Sequence, residues 1–295
     1  MQTFSGAWPA LVTPFTKDEQ VNVSVTRDLI EYHLQHRASG FYVCGSTGEG
    51  IYMSVAERKL MTETVVEQVN GRVPVIIHVG SQVAGDAIQL AAHAQASGAN
   101  GISSIIPANY AHFESIGTYF GQVADAASTI PFLPYLFTSS LDPVALMHHI
   151  KDIPNLAGTK YTGPNMYQFR QILDARSGAW SVFSGMDEQC IFAAMFGACG
   201  NIGSTLNVMP GIYRDIHQAY QDGDLLRARD LQLRANRVTE TLISFDFMGA
   251  LKAALLILGF DCGQPRLPAM SFPDEKRDAL KQALDAVDFS EIAAM

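Results

Sequence analysis

An apolar run followed by an amphipathic helix recurs along residues 6–221. That alternation restricts the fold more than any other feature of the chain. Residues 73–80, Val-Pro-Val-Ile-Ile-His-Val-Gly, form an unbroken apolar stretch, which suits a parallel strand covered on both faces. Residues 6–14, 40–45, 101–106, 130–136, 156–162, 180–185 and 200–205 read as strands in the same way. Prolines 131 and 134 argue against a regular ladder in 130–136. Between these runs the 3.6-residue period returns. Ser24 opens the first helix, with Val25, Leu29 and Tyr32 on its apolar face. Ser54 and Glu57 form a capping box for the second, with Met61, Val65 and Val69 on one face and Gly71 at its end. Further helices are expected over 86–98, 113–128, 142–151, 166–173, 188–196 and 212–221. Strand–helix pairs recurring every 20–33 residues or so have the rhythm of a (β/α)8 TIM barrel, an α/β fold. After Met209 the strand signals stop. Helices then read from Asp224 onward and over 250–258 and 275–287. The expected organisation is a barrel over 1–222 carrying the active site, with a C-terminal helical region over 223–295 packed on it.

Composition narrows the classes of function. A chain of 295 residues that is 48% hydrophobic and 17% charged can bury a large core. The formal net charge of −9 makes nucleic acid and anionic membrane surfaces poor partners. No apolar stretch reaches the ~20 residues of a membrane span, and no signal peptide is visible, so a cytoplasmic location is expected. Cys44, Cys190, Cys199 and Cys262 are scattered without a Cys-x-x-Cys pair, which suggests reduced thiols and not a zinc site. No His/Asp/Glu cluster has metal-ligand spacing, and His78 reads as a core histidine.

A barrel gathers its reactive groups at the C-terminal ends of its strands. The second strand run delivers Ser46-Thr47-Gly48-Glu49, the fifth Tyr135, and the sixth Lys160 and Thr162. The seventh delivers Gly185, Asp187 and Glu188, and the eighth Gly203-Ser204-Thr205. A lysine amine in an apolar pocket is disfavoured as a cation and attacks carbonyls to form a Schiff base. Hydroxyls and backbone amides hold a carboxylate. Together these groups suit a keto-acid substrate. Each also has a purely structural reading: Lys160 snorkelling from a strand end, Tyr135 as a core aromatic, Asp187 and Glu188 as first-turn helix residues, and 45–50 as a turn before a cap.

These residues, in this order, resemble the dihydrodipicolinate synthase/N-acetylneuraminate lyase family of class I aldolases, from about Gly6 through the C-terminal helices. Gly45-Ser46-Thr47-Gly48-Glu49 resembles the family's pyruvate-carboxylate loop. Lys160 in Gly158-Thr159-Lys160 resembles its Schiff-base lysine, and Tyr135 its proton-shuttling tyrosine. Tyr110 resembles the tyrosine contributed across a subunit interface. The resemblance implies a homotetramer with no metal and no organic cofactor, the covalent imine with pyruvate forming at Lys160. It also implies that Thr47 supports Tyr135 by hydrogen bonding.

Several positions resemble the lyase branch. They are Ser46, where synthases carry threonine; Ser140, where synthases carry arginine; Thr162; Gly185-Met186-Asp187-Glu188; and Gly203-Ser204-Thr205. The run Tyr135-Leu136-Phe137-Thr138 departs from the family's Tyr-Asn-x-Pro, so a related acceptor aldehyde stays open. The implied reaction is cleavage of N-acetylneuraminate to pyruvate and N-acetylmannosamine. In it, Ser46 and Thr47 hold the carboxylate, while Asp187 and Glu188, as buried acceptors, and Ser204 hold the hydroxyls. The alternatives are a dihydrodipicolinate synthase, an aldolase for another 2-keto-3-deoxy acid, and a sensor barrel that binds a keto acid without turnover.

Overall fold

The computed structural model describes residues 4–108, 112–137, 141–176 and 180–295. Eight strands alternate with helices: β1 Gly6–Pro9, α1 Val23–Gln35, β2 Phe41–Val43, α2 Val55–Val69, β3 Val75–His78, α3 Ala84–Ala96, β4 Gly101–Ile105 and α4 Phe113–Asp125. They continue with β5 Phe132–Phe137, α5 Pro143–His149, β6 Gly158–Thr162, α6 Met166–Asp174, β7 Ser181–Ser184, α7 Cys190–Phe196, β8 Gly200–Gly203 and α8 Pro210–Gln221. Every strand pairing is parallel, in the order β1-β8-β7-β6-β5-β4-β3-β2. A parallel bridge between Ala10 and Tyr42 nearly closes the ring between β1 and β2. The expected (β/α)8 barrel is the fold.

Local chemistry sets the element ends. The capping box of α2 forms: Ser54 accepts from the Glu57 amide while the Glu57 carboxylate accepts from the Ser54 amide. Its C-terminus is Asn70 in the left-handed region, one residue before the expected Gly71. Helix α1 begins at Val23, because the Asn22 side chain, not Ser24, accepts from the Val25 amide. The two prolines near β5 do not break it. Pro131 lies before the strand, and Pro134 sits within it, its carbonyl accepting from Thr159 Oγ1 at 2.7 Å.

Inside the barrel, Trp8, Tyr42, Ile76, Leu133, Phe183 and Ile202 pack into one layer, with the Trp8 and Phe183 rings edge to face at 5.4 Å. This apolar floor leaves only the C-terminal mouth for polar chemistry. The larger hydrophobic core lies between strands and helices. It runs without a break into α9 Leu225–Ser244, α10 Phe247–Ile257, α11 Arg277–Asp285 and α12 Phe289–Ala293. Asp224 caps α9 as expected, accepting from the Arg227 amide. The expected helix over 275–287 is a 3₁₀ turn leading into α11, and α12 lies beyond the helices read from the sequence.

Candidate active site

Strand register brings the central pair together. Tyr135 of β5 pairs with Lys160 of β6, and Lys160 pairs in turn with Phe183 of β7. Side chains of paired residues project to the same face of a sheet. Tyr135 and Lys160 therefore point together into the mouth, just above the apolar floor. Lys160 is buried, at 5% exposure. Its Nζ lies 4.3 Å from the centre of the Tyr135 ring and 4.8 Å from that of Tyr42. Among the described residues it has no carboxylate partner and no hydrogen bond. Two aromatic faces lie against it, and the Asp187 carboxylate is near enough to interact with it through space.

The neighbouring groups are held firmly from behind. His78 accepts the Ile105 amide at Nε2 (3.0 Å) and lies 3.1 Å from the Cys44 carbonyl at Nδ1. That arrangement fixes the neutral ring with its proton on Nδ1. Burial pushes the His78 pKa well below the ordinary value, with Arg58 and Lys160 adding to the effect. The Tyr42 hydroxyl donates to Ser103 Oγ at 2.9 Å, and burial raises its pKa well above 10.

Lys160 and Thr162 need space on the next strand. A Cβ on Gly185 would lie 1.7 Å from Thr162 Oγ1 and 2.9 Å from Lys160 Cε, so only glycine fits there. Thr162 Oγ1 is buried without a partner. Asp187 is also buried. Its Oδ2 accepts from the Thr205 amide (2.9 Å) and hydroxyl (2.7 Å). Its Oδ1, against Gly203, has no partner. Burial raises the Asp187 pKa, the Thr205 hydrogen bonds and Lys160 acting against that shift. Glu188, expected as a buried acceptor, is exposed at the rim, because the 3₁₀ turn over Asp187–Gln189 turns it outward.

The loop after β2 folds over the mouth. Thr47 is buried and Ser46 exposed. Thr47 Oγ1 meets Ser204 Oγ at 2.6 Å, joining the loops after β2 and β8. No hydrogen bond from Thr47 to Tyr135 is present among the described residues; the Thr47 hydroxyl bonds on the β8 side. The Thr47 and Gly48 amides donate to no acceptor among the described residues, whereas those of Glu49 and Gly50 close the turn onto Ser46 and Gly45. Two amides without an acceptor among the described residues and a hydroxyl pair are donors of the kind that bind anions.

Tyr110, and the branch-marking positions Thr138 and Ser140, lie outside the described residues. Among the described residues no group of three or more His, Cys, Asp or Glu side chains could hold a metal ion. Among the same residues no helix is long and apolar enough to cross a membrane. Sequence reasoning missed Tyr42 and Lys252. Tyr42 lies between Phe41 and Val43, whose side chains pack in the outer core, and so takes the alternate, inward position. Lys252 is the one charge in the otherwise apolar helix Phe247–Ile257.

A model of the dihydrodipicolinate synthetase family matches residues 3–287. The chain belongs to this family. Its members are aldolases that process small molecules through a lysine Schiff base and need no cofactor. The 4-hydroxy-tetrahydrodipicolinate synthase of Thermoanaerobacter sp. (strain X514) is 30% identical over 288 residues, 96% of this chain and 97% of that protein. The N-acetylneuraminate lyase of Rhizobium meliloti (strain 1021) is 32% identical over 285 residues, 96% of this chain and 95% of that protein. The solved structure of Proteus mirabilis N-acetylneuraminate lyase is 30% identical and superposes with a TM-score of 0.92, covering 98% of this chain and all of that one. The relatives thus divide between two activities at similar identity.

Proposed function

We propose that this aldolase is an N-acetylneuraminate lyase whose Schiff base forms at Lys160. The observation that carries the reading is the environment of that amine: buried, facing two aromatic rings, without an ion pair among the described residues, and on the same barrel mouth as the β2-loop amides that have no acceptor among those residues. The loop takes the carboxylate through Ser46, Thr47 and the Thr47 and Gly48 amides. Lys160 Nζ adds to the C2 ketone and loses water to give the protonated imine. As the C4 hydroxyl gives up its proton, the C3–C4 bond breaks, its electrons pass into the imine, and the aldehyde leaves. The resulting enamine takes a proton at C3, and hydrolysis frees pyruvate and the amine. Tyr135, beside Lys160 in register, relays the protons with help from the substrate carboxylate.

The unpartnered Thr162 Oγ1 and Asp187 Oδ1, with Gly185, Ser204 and exposed Glu188, line the end taken by the hydroxylated chain. In this reading Tyr110 reaches a neighbouring subunit's site in a homotetramer, and residues 223–295 form a helical region packed on the barrel of 1–222. The synthase reading has its own support in the Thermoanaerobacter relative. Assay of pyruvate release from a panel of sugar acids, with pyruvate plus aspartate semialdehyde as the synthase pair, separates the two. Pyruvate release from N-acetylneuraminate is the expected result. No release, together with condensation on the semialdehyde, overturns the lyase reading.

A further inference from the structure

The carboxylate loop rests on a buried ion pair from a distant part of the chain. Lys252 of α10 is 2% exposed, and its Nζ lies 2.7 Å from Glu49 Oε1 in a side chain that is 2% exposed. Glu49 Oε2 accepts the Arg266 amide at 2.6 Å, so both carboxylate oxygens are held by the C-terminal region. Lys252 Nζ also donates to the carbonyls of Thr13 (3.0 Å) and Gln264 (3.2 Å). The hydroxyl of Thr13 in turn donates to the Gly48 carbonyl at 2.6 Å. Glu49 itself is in the left-handed region at φ 56°, an unusual conformation for a side-chain-bearing residue.

A buried ion pair is a poor device for stability, because desolvation offsets most of the Coulomb attraction and an apolar pair of equal size often does as well. It does fix geometry, since each charge tolerates only one arrangement of its partners. Here the ion pair, the Arg266 amide and, through Thr13, a Lys252 hydrogen bond converge on the Gly48–Glu49 segment. That segment directly follows the free Thr47 amide and includes the free amide of Gly48.

We propose that Lys252 and Glu49 are positioning residues for the carboxylate-binding turn. Their ion pair orients the Thr47 and Gly48 amides toward the substrate carboxylate and so sets affinity for the keto acid. The inference rests on the reading of this loop as the carboxylate site. Neither residue touches substrate. Their effect passes through the backbone, and the C-terminal helices are thereby part of the binding apparatus.

The test is borohydride trapping on the full-length protein with two probes: pyruvate, and acetone as a ketone without a carboxylate. The variants are Lys252→Met, Glu49→Gln and the double variant, each checked by circular dichroism and thermal melting. In Lys252→Met and Glu49→Gln, the pyruvate concentration for half-maximal trapping should rise roughly tenfold or more, as expected when one member of a buried charged pair is lost. Acetone trapping should stay at the wild-type level. The double variant, free of an uncompensated charge, should trap pyruvate better than either single variant. Wild-type pyruvate dependence in a folded variant overturns the proposal, and so does an equal loss for both probes, which marks a general structural role. If Lys252→Met fails to fold, the near-isosteric Glu49→Gln decides by the same criteria. If the wild-type protein is not trapped by pyruvate at all, the Schiff-base reading itself falls, and this inference with it.

Discussion

His33 offers a quantitative test of the packing between α1 and the barrel. It is fully buried, neither ring nitrogen has a hydrogen-bond partner, and its nearest rings are those of Tyr32 and Phe41 at 5.2 and 6.0 Å. Burial, with a smaller contribution from His36, lowers its pKa from 6.5 to about 3. The unfolded chain therefore binds a proton at His33 between pH 6.5 and 3 that the folded chain refuses. Unfolding is favoured as pH falls through that window, and the contribution to stability is intact only above it. At pH 5 the loss is about 1.5 pH units at ~1.36 kcal/mol each, or roughly 2 kcal/mol. His33→Leu removes the titrating group at similar volume. It also removes two unpaired polar atoms whose burial costs about 1–3 kcal/mol. Urea unfolding at pH 7.5 and pH 5.0, at one protein concentration, should show the variant losing roughly 2 kcal/mol less than wild type on acidification. His78 and His217, also lowered by burial, keep some acid sensitivity in both proteins. The reasoning fails if the variant and wild type show the same difference between the two pH values.

Other expectations concern the site. Borohydride with pyruvate should attach a reduced pyruvyl group that mass mapping places on Lys160, and Lys160→Arg should abolish it, because a guanidinium stays protonated. Gly185→Ala forces a methyl group into Thr162 Oγ1 and Lys160 Cε, so activity should fall on the order of a hundredfold while the circular dichroism spectrum is retained. Asp187→Ala leaves the buried Thr205 amide unpaired and should cost about 1–3 kcal/mol in unfolding free energy as well as sugar-acid cleavage. Exposed Glu188→Ala should change stability by no more than about 0.5 kcal/mol and raise only the KM for the long sugar acid. Normal cleavage of sialic acid by both variants would remove them from the substrate site.

The barrel was legible because its signal is redundant: eight apolar runs and their helices each carry the same message, and an error at any one boundary is harmless. Thus Pro134 lies within β5 although it argues against a ladder there, and Asn22 caps α1 although Ser24 is also a good cap. Lys160 and Tyr135 were visible as side chains at strand ends, but their contact depends on the register between β5 and β6, which no local pattern contains. The loop contacts were less legible for the same reason. Thr47 meets Ser204 across 157 residues of sequence, a pairing that only the folded loops create. Glu188 followed its neighbour Asp187 in the sequence reading, yet one turn of 3₁₀ helix separates a buried carboxylate from an exposed one. Lys252 was hidden because its partner is about two hundred residues away, although a single charge in an apolar helix is itself a sign that some partner exists.

Two lysines are buried near the mouth of this barrel, and the difference between them bears on which can react. The Lys252 ammonium is directed to one carboxylate and two carbonyls, a full complement for three N–H donors. Its charge is compensated and its nitrogen enclosed, so a carbonyl substrate has neither room nor a free lone pair to meet. Lys160 has the opposite surroundings. It is also buried, but its amine lies against ring faces, which attract a cation without occupying a donor. Native interiors rarely leave polar groups unpaired, and exceptions call for an explanation. Those at the mouth are the hydroxyl of Thr162 and one oxygen of Asp187, and near them the amine of Lys160 and the amides of Thr47 and Gly48 find no hydrogen-bond partner among the described residues. A hydroxylated keto acid would complete them together, its carboxylate on the amides, its ketone at the amine and its hydroxyls at the remaining acceptors. The fold thus uses one lysine to hold the loop and leaves the other unfinished for the substrate.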